Sequence, residues 1–174
     1  MKFYTALLNT FLLITLGGAV AGCKTTEERK HDKEATTIRF HLEVSRDGTT
    51  HNGMVPVYRA APVYINVEAE PFLDEGDVAA AAVVDTVGGF AIEIRFNQHG
   101  TFVLSNTSTA AKGARIAISA QFGQSRWLAA PAISKPIIDG RLSFTPDATR
   151  EEAERIVRGL NNVAKKVQDE KSSF

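Results

Sequence analysis

The sequence predicts an α+β domain: a mainly antiparallel sheet with helices packed on one face. Three observations predict it. Several short segments alternate apolar and polar residues, so each strand buries one face and wets the other. One long segment near the C-terminus carries apolar residues at helical spacing behind a capping signature. No series of wholly apolar strands alternates with helices, which argues against a parallel sheet covered on both sides.

Length and composition set the outer limits. The chain has 174 residues, enough for one domain with a hydrophobic core. Twenty basic and 20 acidic residues cancel, which argues against a domain built to hold nucleic acid. The single cysteine permits no intrachain disulfide and no multi-cysteine metal site.

Residues 1–22 read as a lipoprotein signal peptide. Lys2 is a short positive region, Leu7 to Leu16 is mostly apolar, and Gly17 to Gly22 are small apart from Val20. The apolar run is shorter than the ~20 residues of a membrane-spanning helix. Val20-Ala21-Gly22-Cys23 has the form of a bacterial lipobox: an aliphatic residue, two small residues that admit the peptidase, and a thiol to accept the lipid. Acyl chains on Cys23 would hold the protein to a membrane, at about 0.8 kcal/mol per buried methylene. Lys24 stands where an aspartate would signal inner-membrane retention, so the outer membrane, facing the periplasm, is favoured. Residues 23–37 are polar and charged and read as a lipidated flexible tether, with His31 solvated in it.

The folded domain is expected over residues 38–168, with a disordered tail over 169–174. Ile38, Phe40, Leu42 and Val44 alternate with Arg39, His41 and Glu43, giving a first strand whose wet face displays His41. Arg46 to Thr49 has turn chemistry. A second strand is expected from Met54 to Arg59, broken by Pro56, and a third over Val63 to Ala69. Asp74 to Asp77 supplies acids suited to a helical turn. Ala79 to Val84 fits either helix or strand. Phe90, Ile92, Ile94 and Phe96 form the cleanest strand. Gln98 to Lys112 is read as helix, although its serines and threonines are poor helix formers, and Gly113 is its stop. Ala114 to Phe122 is a strand, and Trp127 to Ile138 is extended, with Pro131 and Pro136 suited to an edge. Asp139-Gly140 predicts a hairpin joining Ile137-Ile138 to Leu142 and Phe144. Thr149 and Glu152 form a capping box before the stripe Ala153, Ile156, Val157, Leu160, Val163, Ala164, Val167.

In this order the residues resemble the head subdomain of the large periplasmic domain of SecD, a membrane subunit that assists protein translocation. The resemblance lies in Phe96-Asn97, Lys112-Gly113, Ile116-Ala117-Ile118, Ala130-Pro131-Ala132-Ile133, Gly140, Phe144, Thr149 with Glu151-Glu152-Ala153, and Leu160. It spans roughly Pro62 to Leu160. It implies the fold and a surface that contacts polypeptide. The transmembrane helices and intramembrane carboxylates of SecD have no counterpart here, and Thr145 to Ala148 is an insertion before the capping box. Fold analogy does not carry the motor function across.

No catalytic residues are assigned. The four histidines do not pair at ligand spacing, the serines lack a nucleophile-elbow glycine pattern, and Asp74, Glu75 and Asp77 lack the calcium-loop pattern. No cofactor or metal is expected. The candidate partner-binding edge is the extended stretch at Trp127, Leu128 and Ile133, where a partner would add a strand. Packing of Trp127 on the sheet is the alternative. The resulting expectation is a non-catalytic envelope lipoprotein that binds a protein or peptide partner, with an accessory factor in protein export or folding acting on unfolded chains as the alternative and a small envelope hydrolase, which would need a deep pocket with convergent polar groups, as the third reading.

Overall fold

In the computed structural model, residues 31–46 and 50–172 are described. The expected signal peptide, Cys23, most of the expected tether and residues 47–49 lie outside them. The described residues form nine strands, one 3-10 turn and two helices: β1 (Thr37–Leu42), β2 (Asn52–Val57), β3 (Val63–Glu68), β4 (Leu73–Asp74), β5 (Val78–Thr86), β6 (Gly89–Phe96), α1 (Gln98–Ala110), β7 (Ile116–Gln121), β8 (Ser125–Ala129), β9 (Arg141–Phe144) and α2 (Arg150–Ser172). All strand pairs are antiparallel, as the alternating sequence requires. The class is α+β.

The strands form three sheets. One has order β4-β1-β7-β8, a second is the β2-β3 hairpin, and the third has order β5-β6-β9. Alternation in β1 and β7 puts Ile38, Phe40, Ile116, Ile118 and Ala120 on one face. There they meet Ile92, Ile94 and Phe96 of β6 and Ala153, Ile156 and Leu160 of α2. Phe40 and Phe96 pack edge to face at 5.2 Å between ring centres. Ala79 to Val84 lies in β5 and pairs with β6 across its length, which resolves its ambiguity. The outer edge of β5 is closed by Asn161 of α2, whose side-chain amide accepts from Ala81 N at 2.8 Å and donates to Ala81 O at 3.0 Å.

Both helices start on side-chain caps. Asn97 Oδ1 accepts from Gly100 N at 2.9 Å, and Asn97 Nδ2 donates to Gly76 O at 3.0 Å. This cap explains how α1 forms from a serine- and threonine-rich sequence. Its buried stripe is narrow: Gly100, Leu104 and Ser108. Ser108 Oγ accepts from Ile137 N at 2.8 Å, so the buried hydroxyl is satisfied. The capping box at α2 is present, with Glu152 N donating to Thr149 Oγ1 and Thr149 N to Glu152 Oε2.

Four expectations are corrected. The Asp139-Gly140 turn does not close a hairpin, because Ile137 and Ile138 lie outside any strand and β9 pairs with β6. The first strand's second face is wet only in part: Arg39 is exposed, but His41 is buried where the β2-β3 hairpin covers the strand. Residues 31–36 are not a free tether: Asn162 Nδ2 on α2 donates to His31 O at 2.7 Å and Glu34 O at 2.9 Å, and Thr36 is buried. Helix α2 continues to Ser172, through the start of the expected tail.

Candidate functional site

The face of β1 that was expected to be wet holds the second core. Val57, Ile65 and Val67 of the hairpin pack on Ala117, flanked by Val55, Trp127 and Ala130. His41 is opposite Ala117 in the β1–β7 register, which brings it under the hairpin. Its side chain is not a surface group. His41 Nδ1–H donates to the Glu68 carbonyl at 2.9 Å, and its ring meets Trp127 edge to face at 5.2 Å. A histidine on an alternating strand is polar in sequence, but one carbonyl and one aromatic edge suffice to bury it.

The three residues of the expected binding edge separate. Leu128 is 0% exposed and Ile133 1%, both in the main core. A register shift between β7 and β8 falls at Leu128, so both Leu128 and Ala129 serve that core. The Leu128 carbonyl is also taken: Asp147 N donates to it at 2.7 Å. The inserted loop Thr145 to Ala148 therefore occupies the position where strand addition was expected. Only Trp127 remains half-exposed, and it does so as the wall of a cleft.

That cleft has a volume of about 370 Å³ and is lined by Pro56, Tyr58, Arg59, Pro62, Ser125, Arg126 and Trp127. A second cleft of about 410 Å³ shares Tyr58 and continues past Ala129, Pro131, Ser143, Phe144 and Thr145. Tyr58 stands between them. Among the described residues it is the one non-glycine residue with positive φ, at 68°. For a bulky side chain that conformation costs on the order of 1–3 kcal/mol and persists only where neighbours enforce it. Asp147 enforces it here by accepting the Arg59 backbone N–H at 2.8 Å, and Tyr58 Oη accepts from Ala130 N at 3.4 Å. Asparagine tolerates this backbone region better than tyrosine. Tyr58→Asn is therefore expected to keep or slightly raise thermal stability while removing the ridge between the clefts. A melting temperature many degrees lower would show that Tyr58 is a packing residue instead.

Charges brace the rear of the site. Arg59 Nε donates to Asp147 Oδ2 at 3.1 Å, and Arg126 Nη2 donates to Glu152 Oε1 at 2.7 Å. Arg126 Nη1 also reaches Asp147 O at 3.2 Å, and its guanidinium lies 5.0 Å from the centre of the Phe122 ring. Burial alone would raise the Asp147 pKa, but hydrogen bonds from the Arg59 backbone and side chain outweigh it and hold the carboxyl below its ordinary value. The Arg126 hydrogen bond does the same for Glu152, against burial. Both carboxyls have lower pKa values folded than unfolded. Their contribution is present above about pH 4.5 and is lost as pH falls through the folded values. The melting temperature should drop on acidification below that point. The drop should be smaller in Asp147→Asn/Glu152→Gln; an unchanged acid profile in that variant would rule out this linkage.

Among the described residues, no group of three or more histidine, cysteine or acidic side chains converges to hold a metal. No described helix is long and apolar enough to cross a membrane. Sequence reasoning found Trp127 but missed Tyr58, Arg59, Pro56 and Pro62. Their only local mark is a proline-bracketed loop between two strands.

No family model matches the chain, and no curated protein matches it. Solved structures of SecDF share its fold. One, from a study described as "Structure and function of a membrane component SecDF that enhances protein export", aligns with a TM-score of 0.55 at 16% identity, over 81% of this chain and 70% of that one. Another, SecDF in its super-membrane-facing form, aligns with a TM-score of 0.55 at 17% identity, over 80% of this chain and 21% of that one. At such identities the likeness concerns architecture: the chain has a SecD-like fold.

Proposed function

We propose that the protein is a non-catalytic lipoprotein of the bacterial cell envelope whose SecD-like domain binds a protein or peptide partner in the paired clefts around Tyr58 and Trp127. The observation that carries this reading is Tyr58, a bulky side chain held in an unfavourable backbone conformation between two open clefts. The lipobox Val20 to Cys23 supports the anchor, with an outer-membrane, periplasm-facing address. The anchor also sets distance. His31, the first described residue, stands eight positions after Cys23, and eight residues span at most about 28 Å in any conformation. The docked strap of residues 31–36 thus keeps the domain near the bilayer.

Trp127 is the only tryptophan, so its fluorescence reports on this cleft alone. Titrating the full-length protein in detergent with an unfolded, reduced and alkylated polypeptide should shift that emission saturably, and Tyr58→Asn should weaken binding. No saturable change, with no partner recovered by crosslinking in the envelope, would defeat the reading. Palmitate labelling should disappear in Cys23→Ser; labelling that persists would remove the anchor. A role in export on unfolded chains is the second reading. The likeness to SecDF favours it, and it requires that unfolded chains bind more tightly than their folded counterparts.

A further inference from the structure

The two walls of the Trp127 cleft differ in chemistry. One is apolar and rigid, built from the Trp127 and Tyr58 rings with Pro56 and Pro62. Aromatic faces flanked by proline suit an extended or polyproline-type segment, which arrives with little conformational entropy to lose. The other wall is cationic. The charged side chains lining the cleft are Arg59 and Arg126, and no carboxylate lines it. The whole chain is neutral at pH 7, so this positive lining is a local arrangement.

Arg59 stands in front of the acid that pairs with it: its side chain is 59% exposed and that of Asp147 19%. The second pair is reversed, with Arg126 9% and Glu152 26% exposed. A guanidinium has five N–H donors. Arg59 uses Nε on Asp147, and its terminal nitrogens make no hydrogen bond to the described residues. Arg126 uses Nη1 and Nη2, yet its Nε is buried and has no partner, in a side chain only 9% exposed. That Nε is closed to a ligand in the cleft, so the terminal nitrogens of Arg59 are the donors a carboxylate there would meet, in a charge-assisted contact.

We propose that this cleft takes an extended peptide segment bearing an aspartate or glutamate beside proline or another apolar residue, its carboxylate held by the terminal nitrogens of Arg59 and its apolar neighbour on Trp127 and Tyr58. The proposal rests on the peptide-binding reading above and adds the sequence preference. A peptide fits better than a small carboxylate because the second cleft continues the first beyond Tyr58, giving room for several residues.

The test uses fluorescently labelled peptides that share one apolar, proline-containing frame and differ only in carrying glutamate, glutamine or lysine. Anisotropy is read on the full-length protein in detergent. The glutamate peptide should bind about tenfold more tightly than the glutamine peptide, as expected for a charge-assisted arginine–carboxylate contact, and the lysine peptide most weakly. High salt should shrink the difference. Arg59→Gln should abolish the glutamate preference, and Trp127→Phe should weaken all three peptides alike. Equal binding of the three overturns the carboxylate preference and leaves peptide binding standing; binding of none overturns both. Displacement of the glutamate peptide by free acetate would mark a small-carboxylate site and overturn the peptide assignment. Should Arg59→Gln fail to fold, the peptide series on the unaltered protein still decides.

Discussion

Gly159→Ala is expected to destabilise the protein by about 2–3 kcal/mol, the cost of overpacking a closed contact. The direction is the informative part. Gly159 lies inside α2, where replacing glycine by alanine ordinarily gains about 1 kcal/mol. Here a Cβ would stand 2.3 Å from Thr36 Oγ1, 2.8 Å from Thr36 N and 2.9 Å from Thr36 Cβ. Thr36 is 1% exposed and has no room to retreat without lifting its strand. The strap of residues 31–36 would detach, releasing Asn162 from His31 and Glu34, and Arg158 from its 3.1 Å contact with Glu34. Chemical denaturation measures the loss, and faster proteolysis near Glu34 would locate it. Because a backbone nitrogen is part of the clash, Thr36→Ala should not rescue the variant. A stabilised Gly159→Ala protein would show that the strap does not dock on α2.

Gly140→Ala should cost about 3 kcal/mol, from a disfavoured backbone and a steric clash together. Gly140 has φ +66°, a region that charges alanine about 1–2 kcal/mol. Its Cβ would also meet Thr101 Oγ1 at 2.1 Å, Cγ2 at 3.0 Å and Cβ at 3.1 Å. The site is central to the fold. Phe96 N donates to Gly140 O at 2.9 Å, so this residue ties the end of β6 to the start of β9 beside α1. Unlike the clash at Gly159, this one involves side-chain atoms that can be removed. Thr101→Ala should recover more than half of the loss and leave the backbone term of about 1 kcal/mol. A double-mutant cycle with no coupling would mean that α1 does not pack on this turn.

The strands were legible in the sequence because alternation is a local property. Phe90 to Phe96 reads as a strand from its own residues, and β6 needed no partner to be recognised. Helix α2 was equally plain from its stripe and the Thr149–Glu152 capping box. Errors arose where one signal served two structures. Asp139-Gly140 has hairpin chemistry, but Gly140 turns the chain toward β9 over Thr101 rather than pairing the residues before it. Extended residues from Trp127 onward looked like an open edge. A register shift turned Leu128 inward, and the inserted loop supplied Asp147 to its carbonyl.

The candidate site was legible only as Trp127. The cleft joins Pro56 to Pro62 with Ser125 to Trp127, segments more than sixty residues apart. What brings them together is the hairpin lying on the outer face of the β4-β1-β7-β8 sheet. Period-two alternation states that a strand has two unlike faces, but not what covers either one. His41 shows the consequence: its sequence context is that of a wet strand face, and its environment is Trp127, Ala117 and the Glu68 carbonyl. Strand identity and the capped helix are written in neighbouring residues, because dihedral preference and side-chain period act over a few positions. The docked strap, the blocked edge and the cationic cleft arise from contacts between distant segments, and packing alone selects those.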